Sequence, residues 1–353
     1  MKYIVTGGAG FIGSCLIRKL SSNNKNQILN IDNLTYAGNL DSLKDISEQD
    51  NYFFKKSNIV NKKEIESIFF SFKPDAIIHL AAESHVDQSI DSPGKFLETN
   101  IIGTYTLLEA ARKFWIQLPS VKKLTFRFYH ISTDEVYGDL NVDEPAFTES
   151  HPYFPSSPYS ASKASSDHIV RAWHRTYGLP ILISNCSNNY GPFQFPEKLI
   201  PHMIINAIKQ NNLPVYGNGN QIRDWLYVDD HISAIIHILQ NGDIGETYNI
   251  GGNNELTNIS VVRKICSILD NRFPSSLKNI SSFEDLISFV PDRPGHDLRY
   301  AIDNSKVLKL GWKPVETFET GIHKTVDWFI DNSLWWERIL SRDYMLTRLG
   351  KGG

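Results

Sequence analysis

Cysteine is scarce in this chain: three residues in 353, Cys15, Cys186 and Cys266. Their spacings match no metal-ligand motif, and an odd number argues against a disulfide framework. No metal site is expected, and a reducing compartment, the cytoplasm, suits this usage. Excess charge of one sign is also missing. With 36 Lys and Arg against 39 Asp and Glu, the formal net charge is -3, which gives no electrostatic case for nucleic acid or an anionic membrane. Apolar runs are short, none approaching the ~20 residues that span a bilayer. Met1 to Thr6 already reads as a strand, and glycine breaks that apolar stretch too soon for a signal peptide. Repeats and low-complexity tracts are not apparent. A chain of this length can bury a substantial core in one large domain or two moderate ones.

What the chain has is alternation. Tyr3 to Thr6, Gln27 to Ile31, Asn51 to Lys56, Ala76 to Leu80, Phe126 to Ile131 and Ile181 to Asn185 read as strands. Phe11 to Leu20, Lys62 to Phe70, Lys95 to Phe114 and Ala161 to Tyr177 read as helices. This βαβα order predicts a doubly wound α/β fold, a parallel sheet with helices on both faces. After Asn188 the pattern turns loop-rich, and Tyr227 to Leu239 (helix) and Thr247 to Ile250 (strand) return to the sheet. The remainder ends in an amphipathic helix with Trp328, Trp335 and Trp336. The expected organisation is a Rossmann-type domain over 1–187 with 226–251 returning to it. A smaller mixed α/β substrate-binding domain takes 188–225 and 252–340, and 341–353 is a C-terminal tail whose last residues, Lys351-Gly352-Gly353, read as disordered.

Two constellations carry chemistry. Gly7, Gly10 and Gly13 lie between the first strand and first helix, where they allow a tight turn, close approach of a pyrophosphate to backbone N–H groups, and packing of helix on strand. Asp32 ends the second strand about 20 residues on, where an acid binds the adenosine ribose hydroxyls and repels a 2′-phosphate, so NAD is favoured over NADP. Further along, Thr133, Asp134 and Glu135 stand at the end of a buried strand, at the edge where open parallel sheets bind ligands. Tyr159 and Lys163 fall one helical turn apart on one face. A phenol is a poor base at neutral pH, and a nearby ammonium favours the phenolate. The phenolate can take a proton from a sugar hydroxyl as hydride leaves its carbon. Two adjacent carboxyls can then remove one proton and donate another.

The chain resembles the extended short-chain dehydrogenase/reductase family through Gly7-x-x-Gly10-x-x-Gly13, Asp32, His79-Leu80-Ala81-Ala82, Asn100 and Tyr159-x-x-x-Lys163. Within it the chain is similar to the nucleotide-sugar 4,6-dehydratases. That likeness is carried by the runs Ala81 to Asp87, Ser132 to Gly138, Asn188 to Pro192, Phe195 to Pro201, Arg223-Asp224-Trp225 and Pro291 to Asp297. Epimerases and decarboxylases of the family share the first motifs but lack the Asp-Glu pair; a non-catalytic NAD-binding protein has no reason to keep all four catalytic groups.

The resemblance implies a lyase that turns dTDP-glucose or UDP-glucose into the 4-keto-6-deoxyglucose nucleotide and feeds deoxysugar synthesis, such as that of rhamnose. It implies Glu135 as the C5 base, Asp134 as the acid for the C6 hydroxyl, Tyr159 and Lys163 for oxidation at C4, and Thr133 on the C4 oxygen. NAD contacts are implied at Gly7, Gly10, Phe11, Ile12, Gly13, Asp32, Asn33, Thr35, Asn58, Ile59, Leu80, Ala81, Ala82, Thr99, Tyr159, Lys163 and Asn188. Substrate contacts are implied at Ser84, His85, Thr133, Asn189, Glu197, Lys198, Leu199, Pro214, Tyr216, Arg223, Asn258, Arg293, His296 and Tyr300, the arginines gripping the diphosphate. One departure is Asn58, where the family usually has an aspartate against adenine; its side-chain oxygen can still accept from the adenine amino group. A homodimer paired through Lys95 to Phe114 and Ala161 to Tyr177 is also implied. The choice between dTDP and UDP stays open, since one methyl is worth only about 1 kcal/mol in an apolar pocket.

Overall fold

The computed structural model describes residues 1–273, 280–292 and 296–341; Arg293 and the expected tail beyond 341 lie outside them. Strand β1 (Lys2–Thr6) leads into α1 (Phe11–Ser21), β2 (Gln27–Asp32), β3 (Tyr52–Lys56), α2 (Lys62–Phe72) and β4 (Ala76–His79). There follow α3 (Val86–Asp91), α4 (Pro93–Phe96), α5 (Thr104–Ile116), α6 (Ser120–Thr125), β5 (Arg127–Thr133), α7 (Pro158–Tyr177) and β6 (Ile181–Cys186). The second half runs β7 (Asn188–Tyr190), α8 (Leu199–Ile208), β8 (Leu213–Tyr216), β9 (Ile222–Tyr227), α9 (Val228–Asn241), β10 (Thr247–Ile250) and β11 (Glu255–Thr257). It closes with α10 (Asn258–Arg272), β12 (Ile287–Val290), α11 (Ser305–Lys309), α12 (Phe318–Asp331) and α13 (Ser333–Leu340).

Seven strands form one sheet in the order β10-β6-β5-β4-β1-β2-β3, all pairs parallel. Neighbouring residues of one strand point to opposite faces, and both faces here are apolar. Val5, Ile78 and Tyr129 enter a core with Leu16 and Leu20 of α1 and Ile232 and Ile235 of α9. Their neighbours Ile4, Ile77 and Phe128 enter a second core with Phe69 of α2, Leu107 and Phe114 of α5 and Val170 of α7. That is why the strands read as continuous apolar runs rather than alternating ones. The chain winds outward from β1 to β3, then crosses to β4 and on to β10, so the order reverses between β1 and β4. A crevice at the C-terminal ends of the strands opens at such a reversal.

The second half builds a smaller layer: a three-stranded sheet β11-β9-β7 and a two-stranded one, β12-β8. Its core gathers Tyr190, Met203, Val215, Trp225, Ile265, Phe329, Trp335 and Trp336. Strand β10 and helix α9 return to the large sheet. Val307 and Trp312 also pack into the large domain's core, although they lie within the range 252–340 assigned from sequence to the smaller domain; α11, which carries Val307, packs beside β10, and Trp312 donates to Ser233 Oγ of α9 at 2.7 Å.

Four expected elements differ. Lys95 to Phe114 is not one regular helix: a widened π-helical stretch, Leu97–Gly103, separates α4 from α5. Gly103 lies so close to Ile59 that a Cβ would stand 2.5 Å from its Cδ1. The helix read from Ala161 begins at Pro158, because Ser157 caps it: its Oγ accepts from Ser160 N–H at 3.1 Å while Ser160 Oγ accepts from Ser157 N–H at 3.0 Å. Tyr227 ends a strand rather than starting a helix. The tryptophan-bearing helix is two, α12 and α13, parted at Asn332, whose amide donates back to the Trp328 carbonyl at 2.8 Å.

Candidate active site

The turn after β1 sets the first half of the site. Gly7 has φ +73°, and a Cβ there would stand 2.6 Å from the backbone nitrogen of Ala81. At Gly13 a Cβ would stand 2.2 Å from the Gly7 carbonyl oxygen. No side chain caps α1 at Gly10, so the positive end of that helix faces the crevice. Asp32 is held at the end of β2 by two backbone donors, Ala9 N–H to Oδ2 at 2.9 Å and Leu34 N–H to Oδ1 at 2.8 Å. Burial raises its carboxyl above the ordinary value and the two donors pull it back. A side-chain-free cradle, an uncapped helix start and a fixed acid together fit the pyrophosphate and ribose of a dinucleotide.

The second half stands where β5 ends. Thr133 Oγ1 accepts from Glu135 N–H at 3.3 Å and donates to Asp134 Oδ1 at 3.3 Å, turning the chain so that both acids follow the strand directly. Asp134 is buried; burial first, then the charge of Glu135, holds its carboxyl well above the ordinary value. The Ser157 cap places Tyr159 in the first turn of α7 and Lys163 one turn on. Burial, then the charge of Glu135, pushes the Tyr159 phenol well up, while a hydrogen bond with Thr133 acts the other way. Lys163 is held by the neighbouring strand. Its Nζ donates to the Ile131 carbonyl at 2.9 Å and lies 3.5 Å from His130 Nε2, and burial lowers its pKa.

Every cofactor contact implied above, from Gly7 to Asn188, lines one cleft, together with Thr133, Asp134 and Glu135. Ser84, Asn189, Glu197 and Lys198 also line it. Asn58 is present in the wall, its side-chain oxygen accepting from Val60 N–H at 3.0 Å. His85 stands just outside, its Nε2 3.5 Å from Glu197 Oε2. Leu199, Pro214, Tyr216, Arg223, Asn258, His296 and Tyr300 are not part of the wall. Arg223 stacks 4.3 Å over the Tyr300 ring and donates to the Asp297 carbonyl at 2.9 Å; its charge reaches Asp134, and that of Glu135 reaches Tyr300. Tyr216 packs edge-on against His296, with ring centres 6.1 Å apart, and His296 bonds Asp292 at 2.6 Å. The backbone N–H of Asn258 donates to the Gln221 carbonyl at 3.0 Å.

The sequence reading missed Tyr36, Phe193, Phe195 and Trp335, which also line the cleft. Tyr36 donates to Glu197 Oε1 at 3.0 Å and packs edge-on against Phe195. Trp335 reaches the site from α13 and donates to Ser42 Oγ at 3.2 Å. Tyr36 and Phe193 carry no local signal; Phe195 belongs to the run Phe195 to Pro201 and Trp335 to the C-terminal tryptophan-bearing segment, but neither pattern points to the cleft.

Residues 4–325 match the model of the family described as GDP-mannose 4,6 dehydratase. The chain belongs to this family. It is 56% identical over 352 residues to the dTDP-glucose 4,6-dehydratase of Neisseria meningitidis serogroup B, covering 99% of each chain. To an Escherichia coli dTDP-glucose 4,6-dehydratase it is 58% identical over 359 residues, again covering 99% of each. Among solved structures, the Bacillus anthracis dTDP-glucose 4,6-dehydratase in complex with NAD superposes with TM-score 0.84 at 43% identity, covering 96% of this chain and 99% of that one. A Thermotoga maritima UDP-glucose 4-epimerase gives TM-score 0.82 at 28% identity, covering 94% and 100%. The scaffold is therefore shared with epimerases, and the family's chemistry has to be read from side chains. Among the described residues, no helix is long and apolar enough to cross a membrane.

Proposed function

We propose that the protein is an NAD-dependent hydro-lyase that converts dTDP-glucose to the 4-keto-6-deoxyglucose nucleotide. One observation carries the reading: Thr133, Asp134, Glu135 and Tyr159 line the same cleft as the glycine cradle and Asp32. The preference for dTDP over UDP rests on relatives 56–58% identical that bear that name.

Bound at the cradle, NAD supplies an acceptor for the C4 hydride and later the donor to C6. The protein supplies the protons. Tyr159 takes the proton of the C4 hydroxyl, whose oxygen Thr133 holds by a hydrogen bond. The ammonium of Lys163, one turn along the helix, favours the phenolate through its charge. With C4 a ketone, the C5 proton becomes acidic and Glu135 removes it. Asp134, kept protonated by burial and by its charged neighbour, gives its proton to the departing C6 hydroxyl. Glu135 then returns a proton to C5. Ser84 and His85 are the proposed contacts on the sugar side, and Arg223 and Arg293, with Lys198 nearby, those for the diphosphate. Asn189, Glu197, Leu199, Pro214, Tyr216, Asn258, His296 and Tyr300 are proposed contacts to sugar, phosphate or base.

The test is turnover of dTDP-glucose and UDP-glucose side by side, reading the 4-keto product by its alkaline absorbance. Product from dTDP-glucose without net consumption of added NAD is expected. Stoichiometric NAD consumption, or epimerised sugar without the keto product, would refute the assignment.

We further propose a cytoplasmic homodimer. Tyr177, Leu97, Ile102 and Ile116 of the α4–α5 and α7 region are exposed apolar side chains on neighbouring elements, as a helix-paired interface requires. Sedimentation at micromolar concentration should give twice the mass of one chain; a monomer would rule this contact out.

A further inference from the structure

Beneath the catalytic groups lies a buried carboxylate that the proposed mechanism does not use. Asp167 sits one turn beyond Lys163 on α7 and is fully buried. Its Oδ2 accepts from Ser132 Oγ at 2.9 Å, from the Tyr153 hydroxyl at 2.9 Å and from Asn185 Nδ2 at 3.4 Å. Its Oδ1 lies 3.1 Å from His130 Nε2. Ser132 and His130 belong to β5, immediately before the Thr133-Asp134-Glu135 run. Asn185, on the neighbouring strand β6, also donates to the Thr133 carbonyl at 3.0 Å. A buried carboxylate is costly unless it is paired and hydrogen-bonded; here three donors to Oδ2 and the charges of Lys163 and Arg171 offset part of that cost, while Oδ1 has no hydrogen-bond partner among the described residues.

We propose that Asp167 is a positioning residue for the oxidation step. It ties the strand end carrying Thr133, Asp134 and Glu135 to the helix carrying Tyr159 and Lys163, and sets a fixed negative charge beside the Lys163 ammonium. The inference rests on the function proposed above.

The surroundings of Lys163 support the second part. Asp167 faces it from its own helix, His130 from β5, His79 from β4 and Cys186 from β6. Burial holds His79 well below its ordinary value and lowers His130 to about 4, so both imidazoles are neutral at pH 7. Burial raises the Cys186 thiol to about 12, so it too is neutral. Asp167 keeps its pKa low against the opposing effect of burial, through His130, Lys163 and the Arg171 guanidinium on the far side. Among these described groups it is Asp167 that carries negative charge. Removing that charge leaves the Lys163 ammonium opposed only by burial, and the lysine gives up its proton at lower pH.

The test follows the oxidation step alone, as single-turnover formation of bound NADH from dTDP-glucose in a Glu135→Gln background, across pH. Adding Asp167→Asn keeps the shape and removes the charge. The rate should fall about 10- to 100-fold, as for a small misplacement of reacting groups, with substrate affinity unchanged. Its alkaline limb should move down by about 1 to 3 units, the range for loss of a nearby opposite charge. Adding Ser132→Ala instead keeps the charge and removes one tie; the rate should fall while the limb stays. An unmoved limb in Asp167→Asn, or a change confined to substrate affinity, would overturn the proposal. So would an undiminished rate in Ser132→Ala, whether or not Asp167→Asn folds. Absence of NADH in the Glu135→Gln parent itself would overturn the proposed function and this inference with it.

Discussion

Glu135→Gln is expected to stop the enzyme after it has oxidised the sugar. The amide cannot accept the C5 proton, whereas Tyr159, Thr133 and Lys163 remain in place for the first step. Mixing this variant with dTDP-glucose should therefore build up bound NADH together with the 4-keto-glucose nucleotide, close to one per active site. Formation of the 4-keto-6-deoxy product should fall by ~100- to 10,000-fold, the usual contribution of a general acid or base. The substitution also removes the charge that raises both Asp134 and Tyr159. In consequence the first step should be preserved or eased, not slowed. Near-full turnover would show that the Asp134–Glu135 pair has been misread.

Tyr159→Phe should fail earlier and look different. Without the phenolic oxygen the proposed base for the C4 hydroxyl is gone, so neither NADH nor product should form at more than about a hundredth of the normal rate. The ring itself is buried against Phe96, with ring centres 6.4 Å apart, and phenylalanine keeps that contact. The variant should fold and still bind nucleotide. Rapid NADH formation in Tyr159→Phe would move the base elsewhere. The contrast between the two variants, one loaded with NADH and one without it, separates the oxidation groups from the elimination groups.

Much of this site is local in sequence, which is why it could be read. The glycine turn, Asp32 at the end of its strand, the Thr133-Asp134-Glu135 run and the Tyr159/Lys163 spacing each depend on a few consecutive residues whose geometry is set by one strand end or one helical turn. The parallel sheet follows in the same way, because apolar runs such as Ile4-Val5 and Ile77-Ile78 must bury both faces. What could not be read depends on distant parts of the chain meeting. Trp335 and Tyr36 line the same cleft from positions some 300 residues apart, and neither carries a local signal that points to it. The widened stretch Leu97–Gly103 escaped because one extra residue per turn hardly alters an apolar pattern, yet that stretch carries Thr99 of the cleft wall. The Tyr159/Lys163 spacing was legible in the sequence, but the groups around Lys163 were not. The Ile131 carbonyl, His130 and Asp167 become its neighbours only once α7 packs on β5.

The central claim is that one hydride leaves C4 and comes back to C6 of the same sugar while Tyr159, Glu135 and Asp134 move the protons. It is tested most directly with dTDP-glucose carrying deuterium at C4. Mass spectrometry of the 4-keto-6-deoxy product should find the label in its C6 methyl group, with no change in the total of oxidised cofactor. Product whose methyl group carries no deuterium, or label found in free NADH or in the solvent, would contradict the account.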